Sequence, residues 1–156
     1  MKNIKTTCLV SLLFIAILTS ACNQEHPKVH SGGVDSITTK VCYMAVDASD
    51  TVLLTIINKT KSIEGNLIFH YTNGTTYKGT LKGLMHGDTL LADYNFTTGD
   101  GKWRRNPVAL LKRNGGMTLG VGIMETAWGR NYFAKAQPID YDKGRFTFKR
   151  VDCALK

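Results

Sequence analysis

Residues 63–84 read IEGNLIFHYTNGTTYKGTLKGL, and their pattern decides the fold. Ile63, Gly65, Leu67, Phe69 and Tyr71 share one parity, while Glu64, Asn66 and His70 share the other. This is the period-two alternation of a half-buried strand. Asn73-Gly74 follows, and because both residue types tolerate positive φ, the pair predicts a type I′ hairpin turn. Beyond it Tyr77, Gly79, Leu81 and Gly83 alternate with Thr76, Lys78, Thr80 and Lys82, so the second strand should fold back on the first.

The same grammar extends in both directions. Downstream, His86-Gly87-Asp88 predicts a turn, after which Leu90, Ala92, Tyr94 and Phe96 alternate with Leu91, Asp93 and Asn95. Upstream, strands are expected over 40–46 and 51–58, parted by Asp47-Ala48-Ser49-Asp50. Later strands are expected over 105–112, 117–124, 131–136 and 145–153, with turns at Asn114-Gly115-Gly116 and Asp142-Lys143-Gly144. Nine twisted strands without a helix must curl closed or split into a sandwich. Sequential hairpins favour a single antiparallel up-and-down β-barrel of about 8–9 strands, lipocalin- or calycin-like, over residues 40–156. Glycines at 65, 79, 83, 120 and 122 suit the sharp bends such closure needs. The polar row Thr76, Lys78, Thr80 and Lys82 is unlike a lipid-facing surface, so a soluble barrel is expected.

The chain has 156 residues, of which 43% are hydrophobic and 21% charged, which suits one globular domain and excludes collagen-like and disordered readings. Residues 1–21 are set apart from it. Lys2 and Lys5 precede the apolar run Cys8–Leu18, and small residues lead to Ala21-Cys22, the order of a secretory signal. Residues 22–39, polar and containing Pro27 and Gly32-Gly33, read as a flexible tether. His26 and His30 lie four apart in it, but proline and glycine argue against the helix that would pair them on a metal, and no metal or cofactor is expected.

Of four cysteines, Cys8 leaves with the signal and Cys22 follows it. Cys42 and Cys153 remain as a pair in an oxidising compartment, where a disulfide tying the first strand to the last is the default. A metal site lacks two of its ligands, and a reactive thiol lacks a motif.

Thr19-Ser20-Ala21-Cys22 resembles the lipobox of bacterial lipoproteins, which implies that Cys22 is acylated, with palmitate-type chains, and becomes the first mature residue. Thr19 stands where an aliphatic residue is usual. The alternative is an ordinary cleaved signal with a free Cys22 thiol. Several acyl chains hold a protein to a membrane where one does not. The elements Gly79-x-x-x-Gly83 and Gly87-Asp88-Thr89-Leu90-x-Ala92-x-Tyr94-x-Phe96, with Cys42-Tyr43 and Phe146-x-Phe148, resemble a family of uncharacterised small lipoproteins of Bacteroidota-type bacteria. That resemblance implies an envelope location, in the outer membrane facing either side, and no established activity. Asp35-Ser36-Ile37 resembles an O-glycosylation acceptor of such bacteria, which makes Ser36 a candidate. The overall plan is also similar to membrane-bound inhibitors of C-type lysozyme.

No nucleophile elbow, phosphate loop or zinc-protease helix occurs, so an enzyme is not expected. Asp88 and Asp93 lie on opposite parities, and Glu125, His70 and His86 could meet only through the tertiary fold. Lys and Arg exceed Asp and Glu by 20 to 12; losing Lys2 and Lys5 lowers the formal charge from +8 to +6. Part of this excess gathers with aromatics in Lys102-Trp103-Arg104-Arg105 and Trp128-Gly129-Arg130-Asn131-Tyr132. Aromatic faces stack on sugar rings and arginine forks grip acidic groups, so Trp103, Arg104, Arg105, Trp128 and Arg130 are the candidate binding residues. The expected partner is an anionic glycan or other envelope polymer, and export makes nucleic acid a poor fit. Alternatives are inhibition of a hydrolase such as lysozyme, carriage of a small lipophile inside the barrel, and a structural role in which Trp103 and Trp128 plug the barrel ends. Gly99-Asp100-Gly101 is expected to let the loop before Trp103 move.

Overall fold

The computed structural model describes residues 38–154, so Cys22, Ser36, His26 and His30 lie outside the described residues. Eight strands close a barrel: β1 (Thr39–Asp47), β2 (Asp50–Asn58), β3 (Ile63–His70), β4 (Thr76–His86), β5 (Thr89–Thr97), β6 (Trp103–Arg113), β7 (Gly116–Leu119) and β10 (Thr147–Val151). Each pairs antiparallel with its neighbour in sequence, and β10 returns to β1. No helix occurs among the described residues. β8 (Met124–Ala127) and β9 (Arg130–Phe133) form a separate two-stranded sheet inserted between β7 and β10. β1 begins at Thr39, paired with Asn58, one residue before the strand start expected at Lys40.

Alternation places the side chains as expected. Leu67 on β3, Leu81 on β4, Leu90 on β5, Leu110 on β6 and Phe148 on β10 are all buried in one interior cluster with Val52, Leu54 and Met117. A Cβ on Gly79 would strike the carbonyl oxygen of Asn95, and one on Gly83 that of Leu91. At these inward positions the strand bends too tightly against its neighbour for any side chain, as closure requires.

Three expectations are corrected. Residues 117–124 do not form one strand: β7 stops at Leu119, and a Cβ on Gly120 would run into the side chains of Ile139 and Tyr141, which cross there. Residues 131–136 do not join the barrel, because eight strands already close it and β9 pairs only with β8. The Asn73-Gly74 turn is not type I′. Only Gly74 has positive φ, Gly74 N donates to Tyr71 O at 3.0 Å and Tyr71 N to Thr75 O at 2.9 Å, giving a three-residue loop with a glycine bulge. The loop at Gly99-Asp100-Gly101 repeats this pattern, with Gly101 N donating to Thr98 O and Thr98 N to Lys102 O, both at 2.9 Å. It is tied down: the Lys102 ammonium at 2.7 Å and the Thr98 hydroxyl hold the Asp100 carboxyl down to about 2.

The seam is the thinnest part of the wall. β1 and β2 pair through nine residues each, but β10 meets β1 through only three pairs and β7 through two. The Cys42–Cys153 disulfide, with Cα atoms 5.1 Å apart, ties this seam at one end. Arg145 ties it at the other, its guanidinium binding the carboxylates of Asp47 and Asp50 in the β1–β2 turn. The bridge spans 111 residues, and by constraining the unfolded chain such a disulfide stabilises the fold by about 2–4 kcal/mol.

Because the strands run up and down, the β1–β2, β3–β4 and β5–β6 turns and the β7–β10 connection share one end of the barrel. Thr39, where the chain enters, lies at the other end.

Candidate functional site

The β8–β9 hairpin leaves the barrel and lies against β6. It is fastened by side chains: Asn131 Nδ2 donates to Asn106 Oδ1 at 3.0 Å, and the Arg105 guanidinium sits 5.6 Å from the Tyr132 ring centroid. Asp93 Oδ1 holds Arg105 Nη2 at 2.6 Å, while Arg105 Nη1 is buried without a hydrogen-bond partner.

Between the hairpin and the outer wall runs a groove of about 780 Å³. Its floor is Lys82, Leu84 and His86 of β4, Leu91 and Asp93 of β5 and Pro107 of β6; Glu125, Ala127, Trp128 and Tyr132 come from the hairpin. Register brings the floor together, with Leu84 opposite Leu91 and Lys82 opposite Asp93. Leu84 and Leu91 stand on the outward parity, where the flanking residues Lys82 and Asp93 are charged. They remain 50% and 38% exposed, and Tyr132 41%.

Trp128 is the extreme case. Ala127 pairs with Arg130, so Trp128-Gly129 is a two-residue loop, and both residues have positive φ, 54° and 71°. Type I′ turns take asparagine or glycine at the first of these positions; a bulky residue there carries backbone strain. The Trp128 side chain is 99% exposed, so no packing offsets that strain.

The structure unites some of the sequence candidates and separates others. Of the five candidates only Trp128 lines the groove; Arg105, on β6, holds the hairpin through Tyr132, and Trp103, two residues before it on the same outward parity, is 63% exposed outside the groove. Arg104 has the opposite parity at the end of the barrel, and Arg130 is exposed beside the hairpin tip; neither lines the groove. Trp103 and Trp128 plug neither barrel end, because both stand outside the interior cluster and are largely exposed. His86 and Glu125 do share the groove, whereas His70 lies outside it, with its Nδ1 3.2 Å from Thr76 Oγ1. Leu84, Leu91, Pro107 and Lys82 were not candidates from sequence. Their signal was an apolar residue on a polar parity, at Leu84 and again at Leu91. Among the described residues no three His, Cys, Asp or Glu side chains come together as a metal site.

Compared with known proteins, the chain matches no family model, no curated protein and no solved structure.

Proposed function

We propose that this protein is a non-catalytic binding module, held to the bacterial envelope through lipid on Cys22, that takes a carbohydrate chain of the envelope in the groove between β4–β5–β6 and the β8–β9 hairpin. The observation that carries the reading is Trp128, fully exposed, strained and lining a concave site with other exposed apolar side chains. Aromatic faces stack on the apolar side of sugar rings, and the surrounding Asp93, Glu125, His86, Lys82 and Lys135 offer donors and acceptors to hydroxyls. Positive and negative side chains are both present, and Arg105 already neutralises Asp93, so the lining suits a hydroxyl-rich polymer with occasional acidic groups.

The chain has two tryptophans, so Trp103→Phe leaves Trp128 as the sole indole reporter. Titration with soluble peptidoglycan fragments, lipopolysaccharide core oligosaccharide and acidic polysaccharide should produce saturable quenching by at least one. Trp128→Ala should abolish retention on the corresponding insoluble polymer. Unchanged emission with all three would sink the proposal. A second reading, inhibition of a hydrolase such as lysozyme, draws on the same exposed hairpin tip, which could enter an enzyme cleft; an unaltered lysozyme rate in excess protein removes it.

A further inference from the structure

A second cavity lies at the barrel end opposite the entry of the chain, where a continuous belt of rings lines the wall. Tyr94 stacks on Phe96 at 4.6 Å, Phe96 meets Tyr77 at 5.3 Å, Tyr77 meets Tyr71 at 5.7 Å and Tyr71 stacks on Phe69 at 5.9 Å. Against the belt is a space of about 330 Å³, and Met124 and Phe133 at the base of the hairpin complete its lining. This is the lower edge of the roughly 300–1,000 Å³ range of small-molecule sites.

The chemistry of the lining is narrow. No Asp, Glu, Lys, Arg or His side chain contributes to it. The polar side-chain groups are the hydroxyls of Tyr71, Tyr77 and Tyr94, the last already donating to the Tyr77 carbonyl oxygen at 3.0 Å, and the amide of Asn106. Burial pushes the Tyr71 hydroxyl above the ordinary tyrosine range, so it stays a neutral donor. Asn106 Oδ1 accepts from Asn131, which leaves the Asn106 amino group to donate. A charged occupant would lose its hydration without meeting a counter-charge. A flat ring would gain stacked and edge contacts with the belt.

We propose that the barrel mouth is a binding site for a small uncharged lipophile with a flat ring system and one hydrogen-bonding group. The site is separate from the groove. Pro107, Val108 and Phe133 line both, so β6 and the hairpin base form a common wall. The proposal does not depend on what the groove binds.

The test uses the full chain in lipid nanodiscs with N-phenyl-1-naphthylamine, a neutral two-part aromatic amine whose fluorescence rises in apolar surroundings; empty nanodiscs give the partition baseline. The expected result is saturable binding of one probe per chain above that baseline, with nuclear Overhauser contacts from probe to the rings of Tyr71, Tyr77 and Phe96. Met124→Trp changes a residue that is 49% exposed, so the fold should survive while the larger ring narrows the cavity and weakens binding about tenfold. Absence of binding above the baseline overturns the proposal. So do contacts confined to Leu84 and Leu91, which put the probe in the groove, and an affinity unchanged by Met124→Trp. None of these outcomes alters the response of Trp128 to polysaccharide, so the two sites stand or fall separately.

Discussion

In the barrel wall, Val52, Leu67, Leu110 and Phe148 have no exposed surface; in the β8–β9 hairpin all four residues of β8 are exposed and Trp128 is 99% so. The wall also has no free edge, since β1 and β10 close it, whereas the hairpin is a two-stranded sheet held by a few side-chain contacts. Two strands alone are marginally stable in water, so the hairpin depends on the wall it lies against. The wall, by contrast, needs nothing from the hairpin tip. On the proposed function, stability and recognition occupy separable parts of the chain, and substitutions should sort between them.

The sharpest way to break this contrast is through the interior. Phe148→Ala should cost about 3–5 kcal/mol in urea unfolding, because the cavity it leaves sits among fully packed side chains. A loss below about 1 kcal/mol would mean that the interior is loosely filled. Next comes the seam. Replacing Cys42 and Cys153 by serine should cost about 2–4 kcal/mol, read as the difference in urea midpoint from the oxidised protein, with polysaccharide retention intact where the fold persists. Equal midpoints would show that β10 pairing alone holds the barrel shut.

At the hairpin the signs should separate. Trp128→Asn supplies the residue that a type I′ turn prefers, so stability should hold or rise by up to about 1 kcal/mol while retention on the bound polymer falls about tenfold. A parallel loss of both would join the regions that the structure separates. The smallest effect belongs to the surface carboxylates of the turns. Asp50 is held below the ordinary carboxylate range by the Thr72 amide and Arg145, and Asp100 at about 2 by Lys102 and Thr98. A carboxyl lowered by folding contributes stability that is complete above its unfolded value and is lost as pH falls through its folded value. The urea midpoint should therefore decline below about pH 4, and Asp100→Asn should flatten part of that decline. A carbon-13 titration of the Asp100 carboxyl with its midpoint near 4 would contradict the clamp.

The strands over 40–112 were legible because alternation survives wherever one face is covered and the other wet, as in Ile63–His70 and Thr89–Thr97. The disulfide was legible because only Cys42 and Cys153 remained to pair. The fate of residues 117–136 was not legible. Met117–Met124 and Asn131–Ala136 carry strand-like residues, and such periodicity is the same for a barrel strand as for an external hairpin. The turn at Asn73-Gly74 misled for a related reason, since a dipeptide that permits two turn types cannot state which loop length the register of the strands selects. Of the groove lining, Trp128 could be named from composition, while Leu84 and Leu91 gave only the faint signal of single leucines on a polar parity in separate strands.

By itself the sequence determined the inward set of side chains and the antiparallel meander, because these follow from spacing along one chain, and it pointed to the cysteine pair by elimination. Only the tertiary structure decided that eight strands close the barrel, that the next two leave it, and that Leu84, Leu91, Tyr132 and Trp128 meet in one groove. Closure depends on strand number, stagger and curvature together, and those quantities belong to the whole sheet and to no segment of it.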